Sequence, residues 1–75
     1  MVNATYEAEV DIVMVYFADA KYHESEEIHP GVIADFDADG RMISLEILNA
    51  SAKLARGALT NIPPPGYFAL QNTER

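Results

Sequence analysis

Apolar and polar positions mark out short β-prone segments separated by turn signals, and the pattern changes character near residue 51. "VNATY" (2–6) is short, β-prone and alternating. The polar stretch "EAEVD" (7–11) gives the chain room to turn. "DIVMVYF" (11–17) is rich in β-branched and aromatic residues, which pack well on a pleated surface. Its two faces, Ile12/Met14/Tyr16 and Val13/Val15/Phe17, are both apolar, which predicts a central strand covered on both sides. "ADAK" (18–21) offers a turn, and "YHESEEI" (22–28) is charged enough for a protected edge strand. Pro30-Gly31 is a turn signal. "VIADF" (32–36) and "RMISLEIL" (41–48) are two more strands flanking "DADG". In the second, Ile43, Leu45 and Ile47 share one face, and Met42, Ser44 and Glu46 the other.

From Ser51 the pattern turns helical. "SAKLARGAL" (51–59) contains good helix formers, with Asn49 or Ser51 placed to cap the first turn. Gly57 costs about 1 kcal/mol in a helix interior, so the helix is short or ends near it. The three prolines of "NIPPPGYFALQNTER" (61–75) favour an extended path. The expected fold is α+β and mostly β: an antiparallel meander of about four to five strands, one short C-terminal helix and a proline-rich tail. Residues 1–60 form a single β-rich domain, and residues 61–75 a tail docked on it or on a partner subunit.

Size changes the picture. For 75 residues and 8.3 kDa, burial of apolar surface supplies on the order of 110 kcal/mol. Conformational entropy takes back roughly the same amount at about 1.5 kcal/mol per residue. With no cysteine, neither disulfides nor thiolate metal sites can staple so small a core. Association with a second copy is the remaining remedy, and a homodimer is expected. The "YFAL" segment (67–70), a chain's own or its neighbour's, is the candidate cover for one face of strand 11–17.

Charge narrows the partners. The net charge is −7, with ten acids and one base in residues 1–40 but two acids and four bases in residues 41–75. An acidic surface repels phosphate backbones, so nucleic acid is not expected as a partner; it suits a solvated face, the simpler reading, or a basic protein partner. The longest apolar run, "IVMVYFA" (12–18), is far too short to span a membrane. No basic-then-apolar leader opens the sequence, which suggests a cytoplasmic protein.

Several motifs are decoys. "DFDADGRMISLE" (35–46) fits a calcium loop at Asp35, Asp37, Asp39, Gly40 and Glu46. Such a loop needs a helix on each side, and both flanks here read as strands. In a strand Glu46 lies roughly 20 Å along the chain from Gly40 and cannot return as the twelfth-position ligand. The same letters make a good hairpin, because Asp39-Gly40 favours the positive φ angles of tight turns. "VIADFDADG" resembles the strand-then-aspartate signature of haloacid-dehalogenase-like phosphotransferases, but 75 residues cannot build their doubly wound domain. "PPGY" (64–67) matches a WW-domain ligand, but a proline-stiffened tail folded on its own domain is the simpler reading. His23 and His29 are six apart, about 20 Å in one strand, so only a turn or a second subunit would gather them on a metal with Glu24, Glu26 or Glu27. Glu26 and Glu27 point to opposite faces of a strand and make a poor acid/base pair.

"TYEAEVDIVMVYF" and "SEEIHPGVIADFDADGRMISLEILNAS", with the spacing between them, resemble the small, mostly bacterial proteins of domain-of-unknown-function family 2283. Tyr6, Asp11, Tyr16, Asp35, Asp37, Gly40, Arg41, Glu46, Ile47 and Ser51 stand at matching positions. Glu7 replaces the usual aspartate after Tyr6, and Ser44 stands where glycine is common. The likeness covers about residues 2–54. It implies no activity and no catalytic residues, because the family has none assigned; some members are suspected antitoxins.

The combined expectation is a non-enzymatic assembly or interaction module, antitoxin-like in neutralising a basic partner. It has no catalytic, cofactor or metal residues. The alternative is a small-ligand or metal-binding domain whose site forms at a subunit interface.

Overall fold

The computed structural model describes residues 2–66. Five strands form one antiparallel sheet: β1 (Asn3–Glu7), β2 (Ile12–Tyr16), β3 (Glu24–His29), β4 (Val32–Phe36) and β5 (Met42–Leu48). A single helical turn, α1 (Ala50–Lys53), and a 3-10 turn at Leu59–Asn61 follow. The expected class, mostly β with one short helix, is what the chain adopts. The "YFAL" segment lies outside the described residues.

The strand order is β1-β2-β5-β4-β3, so the meander breaks at one join. β2 pairs with β5, and residues 17–23 carry the chain past the end of the sheet to its far edge. Both ends of this crossover are pinned. The register shift between Asp35 and Phe36 leaves Ile43 as an extra residue on β5, a bulge, and its carbonyl accepts from the N–H groups of Phe17 (2.9 Å) and Ala18 (3.4 Å). At the other end His23 N–H donates to the Phe36 carbonyl (2.8 Å). The central strand is therefore β5 rather than 11–17, and 22–28 becomes an edge, as its charge predicts.

Register sorts the side chains into rows across the sheet. One face carries Tyr6–Val13–Ile47–Val32 and Ala4–Val15–Leu45–Ala34. The other carries Thr5–Met14–Glu46–Ile33 and Asn3–Tyr16–Ser44–Asp35–Ser25. On the first face Val13 (1 % exposed) and Ala34 (0 %) are closed off. Beyond β5, Leu54, Ala58, Leu59, Ile62 and Pro63 are half-buried, and the Pro63 carbonyl meets β1 at Tyr6 N–H. The second face mixes half-buried Ile12, Met14 and Ile33 with carboxylates and hydroxyls, and leaves Tyr16 exposed. Among the described residues strand 11–17 closes off Val13 on one face and leaves Tyr16 exposed on the other, where the expected cover, the "YFAL" segment or a second subunit, lies outside them.

The helix is shorter than "SAKLARGAL" suggests. Leu54 is already extended (φ −91°, ψ 155°), three residues before Gly57.

Candidate functional site

The turn between β1 and β2 and the start of α1 meet at Asp11. Asp11 sits in the left-handed region (φ 59°), which aspartate tolerates better than most residues. This conformation lets one residue address two elements. Its carbonyl accepts from Ala50 N–H (2.9 Å). Its carboxylate accepts from Ser51 N–H (3.0 Å to Oδ1), the Ser51 hydroxyl (2.7 Å to Oδ2) and the Tyr6 phenol (2.7 Å to Oδ1). The helix cap is thus supplied by Asp11 from across the fold. Asn49, expected to cap the helix, makes no side-chain cap bond, and Ser51 donates to Asp11 from inside the helix.

The electrostatics follow from these donors. The Ser51 hydroxyl, then the Tyr6 phenol, hold the Asp11 carboxyl below its ordinary range, helped by the Lys53 charge. The same hydrogen bond, with some desolvation and the negative charge of Asp11, raises the Tyr6 phenol. An ionised acceptor gripped by three donors is suited to holding elements together.

A second assembly crosses β3, β4 and β5. Asp35 accepts from the Ser25 hydroxyl (2.6 Å to Oδ1) and the Ser44 hydroxyl (2.6 Å to Oδ2). Tyr22 in the crossover shares a hydrogen bond with Ser25 (3.0 Å). Ser44 is buried, so its hydroxyl depends on this partner. Asp35 ties the edge strand and the crossover to the central strand.

These bonds, with those of Asp37, occupy two of the carboxylates that mimic a calcium loop. Asp37 Oδ1 accepts from the N–H groups of Asp39 (3.0 Å) and Arg41 (2.9 Å), closing the β4–β5 hairpin. Gly40 alone of the Asp39-Gly40 pair takes positive φ (80°). Glu46 lies within β5, opposite Ile33. His23 precedes β3 and His29 ends it. Among the described residues, no three or more histidines, aspartates or glutamates gather closely enough to hold a metal ion.

An open cleft of about 340 Å³ lies between the crossover and the β4–β5 turn, with Lys21, Tyr22 and His23 on one wall and Asp37, Ala38 and Asp39 on the other. Beyond it runs β3, outermost in the sheet, with all six residues exposed and glutamates at 24, 26 and 27.

A family model described as protein of unknown function (DUF2283) matches residues 3–51. The chain belongs to this family. The DUF2283 span opens at the first residue of β1 and closes at Ser51, so it contains Tyr6, Asp11 and Ser51 together. No curated protein and no solved structure matches the chain. Tyr6, Asp11 and Ser51 all stand in the sequence as candidates, but nothing in their spacing shows that they bond to one another.

Proposed function

We propose that this DUF2283 protein is a non-catalytic, cytoplasmic interaction module that works as a homodimer and holds a basic protein partner along β3. The observation that supports this reading most is the edge itself. Six consecutive residues are exposed at the outside of the sheet, and half of them are glutamates. Glu24 and Glu26 share one face with Ala34 and Phe36, and Glu27 lies on the other with Ile33. An extended basic segment adding to this edge would meet carboxylates on both sides while its backbone pairs with β3. The same charges discourage two copies from pairing there. Neutralising a basic partner in this way is what an antitoxin does.

The test is capture from the native host by wild-type protein and by the variant Glu24→Lys/Glu26→Lys/Glu27→Lys. The expected result is one stoichiometric basic partner, released as salt shortens the screening length toward about 3 Å at 1 M, and not bound by the folded variant. Equal capture by both proteins overturns the proposal. The cleft supports a second reading, because opposed Lys21 and Asp39 suit a small ligand bearing both charges. Native mass spectrometry showing a co-purifying small molecule, lost in Lys21→Ala, favours that reading instead.

A further inference from the structure

The two edges of the sheet are unlike. β3 carries three glutamates and a register shift between Glu27 and His29, both of which resist edge-to-edge pairing. β1 has no charged residue between Val2 and Tyr6, and Val2 is 60 % exposed. Its outer side is partly occupied: Tyr6 N–H points away from β2 and donates to the Pro63 carbonyl (2.8 Å). Strand groups alternate with period two, so the N–H of Ala4 points outward as well. None of the described residues accepts from it.

We propose that a second copy of this chain pairs with residues 2–4 of β1, antiparallel, about a two-fold axis at Asn3. The inference rests on the homodimer reading and gives it an interface. Pro63 sets the register. An axis at Ala4 would bring Val2 of the second copy opposite Tyr6, into the place Pro63 holds, whereas an axis at Asn3 leaves Pro63 undisturbed. In that register Ala4 N–H donates to the Val2 carbonyl of the second copy, Val2 N–H donates to its Ala4 carbonyl, and the reciprocal bonds follow by symmetry. The two Asn3 residues form a non-hydrogen-bonded pair, in which side chains stand closest. Asn3 Oδ1 is a buried acceptor with no partner among the described residues, and pairing at this axis would set the amide of the other Asn3 beside that side chain. The two five-stranded sheets then join into one of ten strands, with the acidic β3 edges outermost.

Two variants test this in the full chain. Ala4→Pro removes the outward N–H and leaves the β1–β2 ladder intact, because that ladder uses the neighbouring residues. It is expected to fold, by circular dichroism, and to sediment as a monomer at tens of micromolar where the wild type is a dimer. Asn3→Cys places a thiol on the axis of a chain that has no other cysteine. Cα atoms about 4.5 Å apart fall within disulfide range, so mild oxidation is expected to give a covalent dimer, while Glu26→Cys on β3 gives none. A wild-type dimer that Ala4→Pro leaves intact and Asn3→Cys does not cross-link overturns this interface and spares the homodimer reading. A wild-type monomer overturns both. A monomer with a slowly exchanging Ala4 N–H shows that the chain's own C-terminal residues take the edge, and that outcome also overturns the proposal.

Discussion

Asp11 and Ser51, forty positions apart, are joined by two hydrogen bonds, one from the Ser51 N–H and one from its hydroxyl. A turn in the first hairpin therefore begins the helix that follows the last strand. Tyr6 extends the connection, because its hydroxyl reaches Asp11 while its N–H reaches Pro63. One strand thus senses both the start of α1 and the segment beyond it.

Acid should loosen this connection. Asp11 is held below its unfolded value, chiefly by the Ser51 hydroxyl, so its contribution to stability is complete above about pH 4 and is lost as the pH falls through the folded value. Tyr6 is raised, chiefly by its bond to Asp11, so its contribution is complete below about pH 10 and is lost as the pH rises through the folded value. Melting temperature measured against pH should therefore fall at both extremes. Asp11→Asn should be less stable at neutral pH and flatten the acid limb; an acid limb unchanged from wild type would show that other carboxylates produce it.

Two glycines should respond to substitution for different reasons. Gly40 holds φ 80° with open space around it, so Gly40→Val should cost at least about 1 kcal/mol from backbone strain alone. Gly31 holds φ 78°, and a Cβ there would stand 2.6 Å from Lys53 Nζ, so Gly31→Ala adds displacement of a side chain that donates to the Leu48 carbonyl. Urea unfolding should show both variants destabilised, and mutating Lys53 to Ala should partly relieve Gly31→Ala while leaving Gly40→Val unchanged. Equal effects of Lys53→Ala on the two would refute the distinction.

Calcium should find no loop to fill. Asp37 already accepts two backbone N–H groups, and both oxygens of Asp35 are taken by serines. Addition of about 1 mM calcium, which loads even weak extracellular sites, should leave the amide resonances of Asp39 and Gly40 in place. A saturable shift there would require the hairpin to open.

The alternation of Ile43, Leu45 and Ile47, the Asp39-Gly40 turn and the glutamate-rich edge were each legible because the physics is local: side chains two apart share a face, glycine tolerates positive φ, and charge belongs at a solvated edge. Strand order was not legible, because pairing Tyr16 with Ser44 depends on packing between residues remote in sequence. The helix cap escaped for the same reason. A search for a cap within a residue or two of the helix finds Asn49 and Ser51, whereas the acceptor comes from Asp11. The DUF2283 match spans all three residues of this connection, but only the folded chain shows them touching.

The placement of β5 has a kinetic consequence. It is the last strand of the sheet along the chain and the middle one in space. Until it arrives, β1–β2 and β3–β4 are separate two-stranded hairpins, and such hairpins are marginal in water. Neither can act as a lasting intermediate, so the sheet should assemble in one cooperative step when Met42–Leu48 enters between them. The rate of that step is governed by non-local contacts, and substitutions in β5 should slow folding where those in β1 or β3 mainly hasten unfolding.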